Sequence, residues 1–197
     1  MLNIGVLVSG GGSNLQAIID GCERGDIKGN IKVVISNKED AFGLERAKKH
    51  NIRAVFEKNE DEVIKILKEE NVDLVVLAGY LKIISPKFVG EFRNKMMNIH
   101  PSLIPSFCGD GFYGERVHQA VIDYGAKVSG ATVHFVNEEA DAGPIIMQDT
   151  VKVMDDDDAK TLAKRVLEVE HTILPKCVKL FCEGKISVEG RKVKVND

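Results

Sequence analysis

Asn3-Ile4-Gly5-Val6-Leu7-Val8-Ser9-Gly10-Gly11-Gly12-Ser13-Asn14-Leu15-Gln16-Ala17-Ile18-Ile19-Asp20-Gly21-Cys22 is the stretch from which the fold can be read. Residues 3–8 form a short apolar run that stops at three glycines, after which Leu15, Ile18, Ile19 and Cys22 recur at helical spacing. Strand, glycine loop and helix make the opening unit of an α/β protein. The glycines let backbone amides approach a ligand closely at the positive end of the helix, and Ser13 or Asn14 is placed to cap it. A phosphate is the expected guest. The pattern is neither the GxGxxG dinucleotide fingerprint nor a Walker loop, because no Gly-Lys-Ser/Thr follows. Taken alone, it is equally a tight turn that binds nothing.

Outward from this unit the alternation continues. Ile31 to Ser36 reads as a second strand, Ala41 to His50 as a helix with Asp40 as its cap, and Arg53 to Phe56 as a short third strand. Asn59 and Glu62 have the spacing of a capping box before a helix whose apolar face is Val63, Ile66 and Leu67. Val72 to Ala78 is nearly continuous apolar sequence, as expected of a central strand covered on both faces. Ser85-Pro86 starts another helix, with proline at its first position. Beyond residue 126 the pattern changes to two long strands, Lys127 to Val136 and Ile145 to Val153, then a helix and a hairpin around Glu189-Gly190. Asp155 to Asp158 is read as capping and solvation, not as a calcium loop, and Pro175 is expected to end or kink the helix before Gly184 closes it. The fold class is therefore α/β: an open, mostly parallel twisted sheet with helices on both faces and antiparallel pairing near the carboxyl terminus.

The 197 residues, 44% of them hydrophobic, suit one domain. Its amino-terminal half, to about residue 100, would hold the phosphate loop, and residues 101–197 would complete the site. A formal charge of -3 argues against a large nucleic-acid footprint and favours a small polar substrate. No apolar run approaches bilayer length, and Met1 leads straight into a strand without a basic leader, so no membrane partner and a cytoplasmic address are expected. Cys22, Cys108, Cys177 and Cys182 lack CxxC spacing and are read as reduced thiols, with Cys108 exposed in a glycine-rich loop.

Met96-Met97-Asn98-Ile99-His100-Pro101 places two chemically capable side chains where a buried strand ends. Residues two apart on a strand project together, so Asn98 and His100 form a pair. Pro101 holds His100 extended and cannot continue a central strand. The carboxyl edge of a parallel sheet is where ligands bind. An Asn and a His at such a place are, by themselves, more often satisfied by backbone groups than catalytic.

Asn98-x-His100-Pro101-Ser102-Leu103-x-Pro105, followed by Asp141-x-Gly143-Pro144, resembles the signature of the folate-dependent formyltransferases. Ser9-Gly10-Gly11-Gly12-Ser13-Asn14-Leu15-Gln16 narrows the likeness to the phosphoribosylglycinamide formyltransferases of the purine pathway, and the match runs from about Asn3 to Gly184. The resemblance implies a Rossmann-like formyltransferase fold. It further implies transfer of the formyl group of 10-formyltetrahydrofolate, a co-substrate, to the primary amine of glycinamide ribonucleotide (GAR). On this likeness Gly12, Ser13 and Asn14 hold the phosphate of GAR and Glu170 its ribose hydroxyls. Leu81, Lys82, Ile83, Ile84 and Asn98 line the folate pocket, although relatives commonly carry arginine where Lys82 stands, which removes a planar fork. Asn98, His100 and Asp141 are the catalytic residues, no metal is required, and a monomer or weak homodimer is expected. The loop from Pro105 to Gly114 is longer than in those relatives.

Within that scheme the Asn98 amide donates to the developing oxyanion, a protonated His100 donates to the same oxygen beside the Asp141 carboxylate, and Asp141 relays a proton directly or through water. His118 is expected near the site, although a solvated helix histidine is the commoner state, and His134 is expected to be structural. Two other acceptors stay open: water, as in formyltetrahydrofolate hydrolase, and another amine, as in methionyl-tRNA formyltransferase. A non-catalytic binding module on the same fold is the third alternative.

Overall fold

The computed structural model describes residues 1–196. Its parallel half runs β1 (Leu2–Val8), α1 (Ser13–Glu23), β2 (Gly29–Ser36), α2 (Phe42–Lys49), β3 (Arg53–Phe56), α3 (Glu60–Glu69), β4 (Leu74–Leu77), α4 (Pro86–Glu91) and β5 (Met96–His100). After α5 (Glu115–Tyr124) come β6 (Val128–Phe135), β7 (Ile145–Lys152), α6 (Ala159–Cys182) and the hairpin β8 (Ile186–Glu189) and β9 (Lys192–Val195). All nine strands form one sheet in the order β3-β2-β1-β4-β5-β6-β7-β9-β8. Pairing is parallel from β3 to β5, whereas β6 is antiparallel to both β5 and β7.

Alternation along the strands feeds two cores, one on each face. Ile4, Val6 and Val8 point to the face covered by α1, α2, α5 and α6, where Leu15, Ile18, Leu44, Val121, Leu162 and Val166 are buried. Leu7 points to the other face, against Val63 and Leu67 of α3 and Phe88 of α4. All four residues of β4 are buried. Phe88 is completely buried, so Phe88→Ala would cost about 3–5 kcal/mol.

Several local expectations change. The N-cap of α1 is Gly12, in the left-handed region at φ 70°, not Ser13 or Asn14. The sharp turn at Gly12 puts Ser13 already in the helix and frees the Asn14 side chain for Glu170, 2.6 Å away. At α2 the cap position is Ala41, with no side-chain cap from Asp40, because the first-turn N–H of Gly43 donates to the Gly10 carbonyl instead. Asn59 does cap α3 through the amides of Asp61 and Glu62, but its own N–H donates to Glu57, so the reciprocal half of the box is missing. Ile64 joins Val63 and Leu67 in the core, and Ile66 packs against it, half-buried. Pro175 neither ends nor interrupts α6, whose 24 residues run through it. Proline removes one donor there, while Ile173, Leu174, Cys177 and Val178 stay buried around it. Cys108 is half-buried, its Sγ 3.3 Å from the Pro105 carbonyl. Asp158 caps α6 in a reciprocal pair with Thr161, and Asp157 forks onto Arg165 at 2.7 and 2.9 Å. No helix among the described residues is long and apolar enough to cross a membrane.

Candidate active site

A cavity of about 720 Å³ lies along the carboxyl ends of β4 and β5, and Asn98, His100 and Asp141 all line it. Parallel strands deliver the first two. β5 carries them, Pro101 ends it, and antiparallel β6 puts His134 opposite Asn98 and Thr132 opposite His100.

His134, expected to be structural, belongs to this cluster. Its Nδ1 lies 2.9 Å from the Phe135 carbonyl, which can only accept, so Nδ1 carries the hydrogen. Burial lowers the affinity of this ring for a second proton, as does nearby His100, against opposing pulls from the Phe135 carbonyl and Asp141. In the neutral ring Nε2 is then an acceptor, and Asn98 Nδ2, 3.2 Å away, is its donor. One amide hydrogen of Asn98 is thereby committed to His134 and the other is free.

His100 is 4% exposed, with Nε2 donating to the Phe107 carbonyl at 3.0 Å and Nδ1 lying 3.5 Å from Asp141 Oδ2. The same carboxylate accepts the Gly109 N–H at 3.0 Å, and its Oδ1 is 3.8 Å from His134 Nε2. Asp141 has φ 52°, a left-handed conformation uncommon for a residue with a side chain. Two residues on, the backbone of Gly143 runs so close to β6 that a Cβ there would come 1.7 Å from the Phe135 carbonyl oxygen. That contact explains the glycine in Asp141-x-Gly143-Pro144.

His118 also lines the cavity and is 4% exposed, not solvated. Burial, then the proximity of His100, pushes it down to about 4, so it is neutral in ordinary conditions, with a dry, unpartnered Nδ1.

Asn14 and Glu170 also line the cavity. Glu170 is 8% exposed; burial pushes its carboxyl up to about 6, against the opposing pull of the Asn14 amide. An exposed salt-bridge role for Glu170 is thus ruled out. Ser13, Asn14 and Gly12 form the start of α1, and the N–H groups of residues 11–14 have no acceptor among the described residues.

Gly79 to Ile84 forms another wall. Leu81 is 52% and Ile83 72% exposed, whereas Ile84 packs into the α3/α4 core. Lys82 lines the cavity, yet its ammonium donates to the Lys58 carbonyl at 2.7 Å. Ser9 Oγ accepts the Leu81 N–H at 2.9 Å and so ties this wall to the end of β1. Phe112 and Tyr113, from the long loop, line the cavity as well. Sequence reasoning missed Phe112 and Tyr113, and undervalued His118 and His134. The only signal for His134 was its strand parity, which acquires meaning once β6 is known to pair with β5.

The chain belongs to the formyl transferase family, whose sequence pattern matches residues 2–178. Within that class it is similar to the phosphoribosylglycinamide formyltransferase of Haemophilus influenzae, 45% identical over 198 residues that cover 96% of this chain and 91% of that one. It is 42% identical to the chloroplastic phosphoribosylglycinamide formyltransferase of Arabidopsis thaliana over 93% of this chain, and spans 66% of that protein's length. The crystal structure of glycinamide ribonucleotide transformylase 1 from Symbiobacterium toebii superposes with a TM-score of 0.94 at 42% identity, covering 100% of this chain and 95% of the other.

Proposed function

We propose that this protein transfers the formyl group of 10-formyltetrahydrofolate to the primary amine of glycinamide ribonucleotide, giving formyl-GAR and tetrahydrofolate in purine biosynthesis. The observation that carries this reading is one cavity lined by Asn98, His100 and Asp141 together with Asn14, Glu170 and an exposed aliphatic wall.

The nucleotide phosphate binds the free amides at the start of α1, and the Glu170 carboxylate accepts the ribose hydroxyls. The folate ring lies on Leu81 and Ile83, where a flat face buries against aliphatic side chains while backbone groups bond its polar edge. The neutral amine attacks the formyl carbon, a nitrogen–carbon bond forms, and the carbonyl oxygen takes up negative charge. The free amide hydrogen of Asn98 and the Nδ1–H of a protonated His100, whose Nε2–H stays on the Phe107 carbonyl, donate to that oxygen, stabilising it more than the neutral formyl group. The amine proton leaves by way of Asp141 and reaches the folate nitrogen as its bond to the formyl carbon breaks.

The test is a steady-state assay with 10-formyltetrahydrofolate, with and without GAR. Tetrahydrofolate released only with GAR, together with formyl-GAR, is the expected result. Equal release without the nucleotide would make water the acceptor, and no release in either condition would turn the test to other amine acceptors and then to simple binding.

A further inference from the structure

The carbonyls of the glycine loop are turned towards α2. The Gly10 oxygen accepts the Gly43 N–H at 3.0 Å, and the Gly11 oxygen accepts Nε–H of Arg46 at 2.7 Å. The guanidinium is held on two further sides: Nη1 donates to Gln16 Oε1 at 3.2 Å, and Cζ lies 5.0 Å from the centre of the Phe42 ring. Gln16 is itself bonded to Asp20 at 2.8 Å. The helix presses directly on the loop, since a Cβ on Gly12 would come 2.7 Å from Gly43 Cα. With two carbonyls withdrawn, the N–H groups of residues 11–14 face no acceptor among the described residues, and the buried Oδ1 of Asn14 lacks a partner.

A carbonyl oxygen beside an anion repels it, whereas clustered N–H groups and a fixed cation attract it. We infer that Arg46 is the positioning residue that makes this loop select a phosphorylated acceptor: it holds the Gly11 carbonyl away from the phosphate and adds a fixed positive charge at the loop. The inference rests on the phosphate reading above. It also accounts for Gln16 in the amino-terminal motif, as the residue that locks the guanidinium. Lysine cannot replace arginine here, because one ammonium lacks the planar fork that reaches Gly11 and Gln16 together.

The experiment measures kcat/KM for GAR and for the same acceptor without its phosphate, in wild type, R46A and R46K, with inhibition by inorganic phosphate alongside. The preference for the phosphorylated acceptor is expected to fall about tenfold or more in R46A, with weaker phosphate inhibition and little recovery in R46K. General damage lowers both acceptors together and leaves the ratio intact, and an intact ratio in R46A overturns the inference. Gln16→Ala, which removes one of the three restraints, should give a smaller fall in the same ratio and serves if R46A does not fold; an unchanged ratio there also counts against the inference. A wild type that treats both acceptors alike overturns the phosphate reading itself.

Discussion

Asn98 on β5 and His134 on β6 are register partners whose side chains meet, Nδ2 to Nε2, at 3.2 Å. The meeting sets the direction of the Asn98 amide, because the Phe135 carbonyl leaves the histidine only one acceptor nitrogen. His134→Leu should lower kcat about tenfold with little change in either KM, since the oxyanion donor proposed at Asn98, once free to rotate, stabilises the transition state less. His134→Gln, whose amide oxygen can take the place of Nε2, should recover much of the rate. Steady-state kinetics on both variants check this; equal rates in His134→Leu and wild type would remove the orienting role.

Asp141 is held by the Gly109 N–H and faces His100 and His134. Asp141→Asn keeps an oxygen for Gly109 but loses the base of the proposed mechanism, so kcat should fall by at least about 100-fold while the melting temperature stays near that of wild type. Parallel turnover and thermal unfolding measurements separate the two effects.

Glu170 is pushed up to about 6 by burial, and the ribose role proposed for it needs the carboxylate. Protonation removes an acceptor, so the KM for GAR should rise as pH falls through about 6. Glu170→Gln should flatten that limb and raise KM about tenfold above it. A pH series of KM in the two proteins is the check.

His118 is neutral in the folded chain down to about 4, whereas in the unfolded chain it takes its ordinary value of about 6.5. Between those values the unfolded state binds the proton and the folded state does not, so the stability present above 6.5 is lost as pH falls towards 4. His134 is shifted in the same direction. The melting temperature of His118→Asn should therefore depend less steeply on pH in this window than that of wild type, with part of the slope remaining from His134. Differential scanning calorimetry across the window measures both slopes.

Gly143→Ala would drive a Cβ to 1.7 Å from the Phe135 carbonyl oxygen. The turn must move, at a cost of about 1–3 kcal/mol, and Asp141 moves with it. Lower stability and lower turnover should appear together, unlike the Asp141→Asn pattern.

The elements were legible where a periodic apolar pattern met a turn signal. Val8 before three glycines and Ser85-Pro86 are local features, and their reading depends on backbone sterics within a few residues. The reading failed where a distant group took over a local role. Gly10 supplies the acceptor that Asp40 was expected to be, and burial along α6 carries the helix through Pro175. In the site, Asn98 and His100 were legible as a pair because strand parity is local.

The amino-acid sequence by itself determined the alternation of strands and helices, the strand end at His100 and the motifs that the formyl transferase family shares. Those depend on side-chain pattern and on covalent restraints such as proline, which act between near neighbours. Only the tertiary structure decided that His134 orients Asn98, that Asp141 lies between two histidines, that His118 is dry, and that Arg46 braces the glycine loop. Each of these includes a pair of residues 30 or more positions apart or depends on what is packed around a ring. Such contacts are set by the pairing of β5 with β6 and the packing of α2 against the loop, and no local pattern encodes them.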